Sequence, residues 1–489
     1  MRYINKADMC ITAHYLGIIM QGVGIVLLVP ILIAFIYQEN IYLNLAIAPL
    51  LSIALGTILH LKFSKYTKMR LKHGMVISSL AWIWAGIVGA GIMMMCLDIS
   101  FANAFFENMS AWTGSGLTIF NNVEVLPMSI LFLRSYEQWL GGLGVVIIFI
   151  GVLIRNGTAA SRLYESEARD DRIKPSIINT LYKTVEIYTL YTVLGILMYI
   201  VVGMPLFDSI NATFPTISTG GMSIKNANIG AYHSDAINIV TIIIMIIGSI
   251  SFSVHYKVVK TKGLAILKDV QFQAIMALII ISTIAIYFTS HLRLLDIIFQ
   301  VVSAISTTGA NVPSSSVLSL WPSFSLLIII VLMLIGGSSG STVGSIKVIR
   351  VITFLKGINL TTLNLLSPEG RVIGVKIGGK TIQEKEIRES SAYIALFLVF
   401  VLISWLVLLV YGYDPLYSLF NVISAQGNNG VWIGSTCSLL PDELKYLLVG
   451  NMWIGRLEII PVLVLVRSLY ETLKRIPRQI KGPNKPQFK

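Results

Sequence analysis

Hydrophobic residues run in long blocks along this chain, separated by two kinds of polar segment. The blocks lie at roughly 12–37, 41–61, 75–97, 126–153, 185–204, 236–256, 270–289, 323–354, 390–411 and 444–470. Each is long enough, at ~18 or more apolar residues, for a helix that crosses a hydrocarbon core. Four of the intervals, between the third and fourth, fifth and sixth, seventh and eighth, and ninth and tenth blocks, share a further pattern. An apolar run begins near an acidic residue, as at Asp208 and Asp296, and leads into a loop that ends in glycine. These runs, of about 10–14 residues, are too short to span and suit re-entrant half-helices.

The loops closing the runs resemble one another. They are Met109–Gly116 (MSAWTGSG), Thr213–Gly220 (TFPTISTG), Val302–Gly309 (VSAISTTG) and Ile423–Gly430 (ISAQGNNG). Their last glycines are 104, 89 and 121 residues apart, and such internal repetition dictates architecture. One small-residue loop between two spans is ordinarily just a turn. Four in register, each after an apolar half-helix, point to four walls of one site. The predicted fold is an all-α polytopic membrane protein with a pseudo-fourfold pore. Residues 1–70 form two leading transmembrane helices. Span, pore helix, filter loop and span then repeat over 71–156, 175–262, 263–360 and 385–470, before a basic cytoplasmic tail at 471–489.

Composition agrees with a membrane protein. Of the 489 residues 55% are hydrophobic and 12% charged, with mean hydropathy +0.78; soluble domains carry about 25% charged residues. The first block is too long for a signal-peptide core and no small-residue cleavage site follows it, so it is expected to be retained. Cys10, Cys96 and Cys437 are too few and too scattered for a disulfide framework or a metal cluster. The net charge of +13 is distributed in a way that argues against nucleic-acid binding, because 32 of the 37 Lys and Arg residues sit in one family of loops and at the two ends. The opposite loops carry Asp98, Glu107, Asp208, Asp235, Asp296, Asp414, Asp442 and Glu443. Excess Lys and Arg marks the cytoplasmic side. Both termini are then cytoplasmic, in a chain embedded in membrane lipid, and the glycine loops approach from outside behind an acidic rim that concentrates cations.

Non-helical backbone at membrane depth is tolerated where it lines a cavity, and loop carbonyls aimed at an axis can replace the hydration shell of an alkali cation. Glycine gives such loops the backbone angles they need. An enzyme is not expected: there is no phosphate-cradling Gly-Lys-Ser/Thr loop, no zinc-spaced ligand set and no nucleophile elbow. A secondary transporter of an organic solute would use inverted repeats, whereas all four units here run in the same direction.

Phe105–Ser110 (FFENMS), Ser218–Gly221 (STGG), Ser306–Gly309 (STTG), Asn428–Gly430 (NNG) and Gly455–Glu458 (GRLE) resemble the Trk/Ktr/HKT superfamily of potassium transporters over essentially the whole chain. The two leading spans place it nearest the TrkH-type membrane subunits. The resemblance implies one filter glycine per wall: Gly116, Gly220, Gly309 and Gly430. It implies ion-coordinating carbonyls from the residues before them: Gly114 and Ser115, Ser218 and Thr219, Thr307 and Thr308, Asn428 and Asn429. The ion would be K⁺, with no organic cofactor, and a Na⁺-permeable or Na⁺-coupled transporter is the alternative within the same fold. A homodimer and a separate cytoplasmic TrkA-like nucleotide-binding subunit are likewise implied. The first loop, Gly-Ser-Gly, departs from the threonine run often seen in relatives, and the fourth lacks hydroxyls.

Two gate candidates lie beneath the loops. Arg456 falls in the middle of the last span, where a charge is costly and faces a protein interior or cavity. It reads either as a displaceable barrier to the ion or as half of an ion pair with Glu458 or Glu137, and the resemblance implies the barrier. Ile335–Ser345 (IGGSSGSTVGS) holds Gly336, Gly337, Gly340 and Gly344 with Ser338, Ser339, Ser341 and Thr342, a poor composition for a regular helix. It reads as a broken helix whose loop crosses the pore or as close helix packing; the resemblance implies an intramembrane loop. Gly141, Gly142 and Gly144 in the first unit read as packing. Arg134 and Glu137, one turn apart, are expected to pair.

Overall fold

The structure is a computed structural model that describes residues 6–144, 177–260, 263, 266–290, 292–313, 315–368, 374–434 and 437–474. The expected tail beyond Lys474 and the second half of the 126–153 span lie outside the described residues. Helices α1 (Lys6–Val26), α2 (Pro30–Ile36) and α3 (Tyr42–Lys62) lead the chain, with Pro30 in the first turn of α2, where its missing N–H costs nothing. α1 and α3 meet through glycines: a Cβ at Gly17 would stand 2.6 Å from the carbonyl of Gly56, and the reverse holds. Small residues let two backbones approach in lipid, where packing drives helix association.

One order of elements then recurs four times. The first unit is α4 (Leu71–Leu97), α5 (Phe101–Thr113) and α6 (Met128–Leu143). The second is α7 (Ile177–Val201), α8 (Leu206–Ile217), α9 (Asp235–Ser249) and α10 (Phe252–Lys260). The third is α11 (Val270–Thr289), α12 (Leu294–Ile305), α13 (Ser323–Ile335) and α14 (Val348–Leu365). After a small hairpin pairing Lys376–Ile377 with Lys380–Thr381, the fourth is α15 (Glu384–Val410), α16 (Pro415–Gln426), α17 (Asp442–Arg456) and α18 (Ile460–Leu473). The short second helices α5, α8, α12 and α16, at 12–13 residues, match the expected half-helices. Their starts are marked by polar groups, including the Ser100 cap on α5 and the Asp414 cap on α16, which suit the positive end of a helix dipole. Their bodies are the centre of the molecule: Phe106, Trp112, Phe299 and Phe420 are fully enclosed. The long first helices form the periphery, where α15 leaves Leu398, Leu402, Ile403 and Leu406 exposed as a lipid-facing surface.

Among the described residues seven helices are long and apolar enough to cross a membrane, or nine if two bent pairs are counted. The reading of continuous spans needs correction here. The 236–256 block bends by 104° between α9 and α10, and the 444–470 block by 116° between α17 and α18. The 323–354 block is interrupted over 336–347. Two of these interruptions satisfy one another. Ser338 N–H donates to Ser249 O at 3.0 Å and Phe252 N–H to Gly340 O at 2.9 Å, joining the break of the second unit to that of the third. Opened backbone at membrane depth survives because protein supplies its hydrogen bonds. Apolar periodicity has no mark for such an exchange.

Candidate functional site

All four half-helices end in the same hydrogen-bond pattern. The N–H groups of Gly114, Thr219, Thr307 and Asn428 bond back three residues, to Ala111, Thr216, Ala304 and Ala425, at 3.1–3.2 Å. The following N–H groups, of Ser115, Gly220, Thr308 and Asn429, bond back five residues, to Ser110, Pro215, Ser303 and Ser424, at 2.8–3.0 Å. This is the Schellman ending, which needs one left-handed residue. That residue has φ 73° at Gly114, 56° at Thr219, 50° at Thr307 and 52° at Asn428. A β-branched threonine there is a strained choice, costing ~1–3 kcal/mol, of the kind that collects at functional sites. Gly114 therefore occupies the position of the threonines, which accounts for the Gly-Ser-Gly of the first loop.

Two residues further on, each loop again takes positive φ: 73° at Gly116, 70° at Gly221, 75° at Gly309 and 96° at Gly430. In the second loop this is one residue later than the sequence reading, which placed the glycine at Gly220. Gly220 instead shares the register of Ser115, Thr308 and Asn429, and Ser218 ends α8 as Ser306 ends α12. The doubled glycine hid the register from spacing alone.

The four glycines close a ring. A Cβ at Gly116 would lie 2.1 Å from Gly220 O, at Gly221 1.9 Å from Thr308 O, at Gly309 1.9 Å from Asn429 O, and at Gly430 2.4 Å from Ser115 O. Each loop thus presses on the next, and the fourth on the first. A cavity of about 360 Å³ is lined by all four glycines together with Arg134, Lys225 and Asn228. Outside it, Tyr232 donates to Asp208 at 2.9 Å; burial, then the neighbouring Asp208 carboxylate, pushes its phenol well up.

The left-handed side chains connect the ring to the interrupted helices. Thr219 donates to the hydroxyl of Thr342 at 3.2 Å, and Thr307 accepts from Gly344 N–H at 3.1 Å. Asn428 donates to Ser115 Oγ at 2.8 Å and to Met452 O at 2.9 Å. Thr342 also donates to Ile217 O and Gly248 O at 3.2 and 3.1 Å, and Ser345 to Gly427 O at 3.1 Å. The 336–347 segment is therefore a broken helix seated on the C-terminal carbonyls of α8 and α16. Gly336 and Gly340 take φ 70° and 73° within it, Gly337 packs 3.1 Å (Cβ to carbonyl) from Ser249, and Ser339 N–H donates to Gln271 at 2.8 Å. Ser341 donates to Ser338 O at 2.6 Å and tightens the turn.

Arg456 ends α17 with Nη1 donating to Thr342 O at 2.8 Å and Nη2 to the carbonyls of Gly142, at 3.2 Å, and of Gly141. Its guanidinium lies 5.5 Å from the Trp82 ring centre. The expected acidic partners are placed otherwise: Glu458 receives Lys347 and Arg350, and Glu137 is enclosed beside Trp112 and Asn108. Beside this contact, a small cavity of about 40 Å³ is lined by Arg456, Lys347 and the 340–345 segment. Gly141 does pack tightly, since a Cβ there would sit 1.8 Å from Trp112 O, but its carbonyl also holds Arg456.

The Arg134–Glu137 pairing is likewise corrected. Arg134 Nε donates to Glu107 at 2.7 Å, across helices rather than along one, and Nη1 to Ser223 O at 2.9 Å. Glu107 also accepts from Ile119 N–H at 2.8 Å, so this enclosed pair clamps the segments that leave the first and second loops. Sequence spacing missed it, as it missed Gln138, which donates to Gly220 O at 2.7 Å and accepts from Met222 N–H at 3.0 Å.

The family described as TrkH, cation transport protein, matches residues 42–474. An uncharacterized cation transporter of Methanocaldococcus jannaschii is 38% identical over 97% of this chain and 99% of its own length. The Trk system potassium uptake protein TrkH of Escherichia coli K12 is 28% identical over 90% of this chain and 94% of its own. The crystal structure of the potassium transporter TrkH from Vibrio parahaemolyticus superposes with a TM-score of 0.82, covering 94% of this chain and 98% of that one at 24% identity. The likeness in fold and the match along nearly the whole length lead to one conclusion: this chain belongs to the TrkH family of cation transport proteins, multi-pass membrane transporters and not enzymes.

Proposed function

We propose that this protein takes up K⁺ across the cell membrane through the ring formed by its four loops. The carrying observation is the closure of that ring, with four left-handed glycines each packed against the next loop. Residues 114–116, 218–221, 307–309 and 428–430 are the selectivity filter, presenting carbonyls in place of water around the ion. The half-helices aim their negative C-terminal ends at it. In this reading the units at 71–156, 175–262, 263–360 and 385–470 are the four pore repeats, with both termini cytoplasmic and the 360 Å³ cavity as the outer mouth. The potassium assignment draws on the relatives named as potassium uptake proteins.

Arg456 and the 336–344 segment are the gate. The arginine sets a positive charge on the cytoplasmic side of the filter, and the broken helix holds it there through Thr342. The chain works as a homodimer with a separate cytoplasmic TrkA-like nucleotide-binding subunit, docked on the basic cytoplasmic loops. Purified protein in liposomes, assayed for K⁺, Rb⁺ and Na⁺ flux, tests the assignment. Faster K⁺ and Rb⁺ than Na⁺ supports it, and equal K⁺ and Na⁺ rates overturn it.

A further inference from the structure

Glu137 is a carboxyl group that the transport reading leaves unused. It is completely enclosed, on α6, where the indole N–H of Trp112 on α5 faces it as a donor. Its neighbour across the helix interface is Asn108 of α5: a Cβ built on Gly89 of α4 would stand 2.3 Å from Asn108 Oδ1 and 2.5 Å from Glu137 Oε1, so the two oxygens face the same small space. The Asn108 amide cannot turn to help, because its Nδ2 donates to Ala104 O at 2.6 Å and a flip would set oxygen against oxygen. Asn108 Oδ1 is itself without a donor. Two acceptors confronting each other in an enclosed place require something positive between them. Two oxygens are too few for a hard cation, which takes about six. A proton on Glu137 meets the need, as an isolated buried carboxylate neutralises instead.

We infer that Glu137 is a proton-binding site, holding its proton at neutral pH and donating it in a hydrogen bond to Asn108 Oδ1. The charged groups around it are accounted for. Glu107 on α5 is bound by Arg134 of α6 itself. Arg456 at the end of α17 is turned onto the carbonyls of Gly141 and Gly142. α4 carries Lys72, His73 and Cys96 only near its ends and offers Gly89 at this level. α8 has Asp208 alone, in its first turn. Gly141, whose carbonyl receives Arg456, lies one turn beyond Glu137, so releasing the proton places a negative charge on the helix that holds the arginine. Ionised Glu137 then keeps Arg456 in place, and flux falls in alkaline solution. This last step rests on Arg456 acting as the barrier.

Two measurements separate the site from its coupling. Infrared spectra of the membrane-reconstituted protein at neutral pH, wild type minus Glu137→Gln, should contain the carbonyl-stretch band of a protonated carboxylic acid that shifts in heavy water. Its absence overturns the proton site whatever the protein transports. K⁺ flux in liposomes across neutral to alkaline pH should fall several-fold in the wild type and stay level in Glu137→Gln, whose amide donates to Asn108 as the acid does. Parallel pH profiles in the two proteins overturn the coupling. Glu137→Leu, which needs no proton to remain buried, should also give a level profile; a wild-type slope in it counts against the assignment.

Discussion

Arg456 donates to the main-chain carbonyl of Thr342 at 2.8 Å, which ties the bent helix of the fourth unit to the interrupted helix of the third. Arg456→Ala removes this bond and those to Gly141 and Gly142 together, along with the positive charge. Flux of K⁺ in liposomes should rise while the order of K⁺, Rb⁺ and Na⁺ stays the same. An unchanged flux would assign Arg456 to packing alone.

The ring of glycines sets a sharper test, because Gly220 and Gly221 are adjacent and differ in what surrounds them. A Cβ at Gly221 meets the backbone of Thr308 at 1.9 Å, in a residue that also has φ 70°. At Gly220 it meets the side-chain amide of Gln138 at 2.6 Å, which can yield only by giving up its bonds to Gly220 O and Met222 N–H. Gly221→Ala is expected to abolish flux, and Gly220→Ala to reduce it only several-fold. The reverse ranking would restore the register that spacing suggested.

The enclosed Glu107–Arg134 pair predicts a stability effect. Removing one partner of a buried ion pair leaves an uncompensated charge and costs ~3–5 kcal/mol. Arg134→Met should therefore lower the thermal midpoint in detergent well below that of the wild type. The double variant Glu107→Gln with Arg134→Met should recover part of the loss. A single variant that melts like the wild type would mean the clamp is dispensable.

Thr307 offers a probe of the contact between ring and break. Thr307→Val keeps the shape but removes the acceptor for Gly344 N–H, and an unsatisfied buried N–H costs ~1–3 kcal/mol. The cost falls on the seated form of the 336–347 segment, so the resting flux should increase with little change in ion preference. Altered preference without altered flux would place the role of Thr307 in the loop itself.

Much of this architecture is legible in the residues. Apolar run length separated half-helices from spans, and the glycine content of 336–344 disclosed one interrupted helix. What stayed hidden depends on contacts between distant units. The breaks after Ser249 and Arg456 have no comparable run of glycines; Gly340 O receives the freed N–H of Phe252 at the first, and the Arg456 side chain reaches Thr342 O at the second. The pairing of Arg134 with Glu107 crosses helices, so a rule about residues one turn apart chose Glu137 instead. The register of Gly220 and Gly221 was decided by backbone angle, which two adjacent glycines do not reveal.

The hydrogen bond from Asn428 to Ser115 spans 313 positions of sequence, and it is where the ring shuts. A chain emerging from the ribosome has made three walls long before α16 is synthesised, and three walls leave an open side. Contacts this distant in sequence form late because loop closure must precede them. The ring is thus closed last, by the arrival of the final quarter of the chain. An unfinished or truncated copy that lacks α16 therefore has three of the four walls and no closed ring.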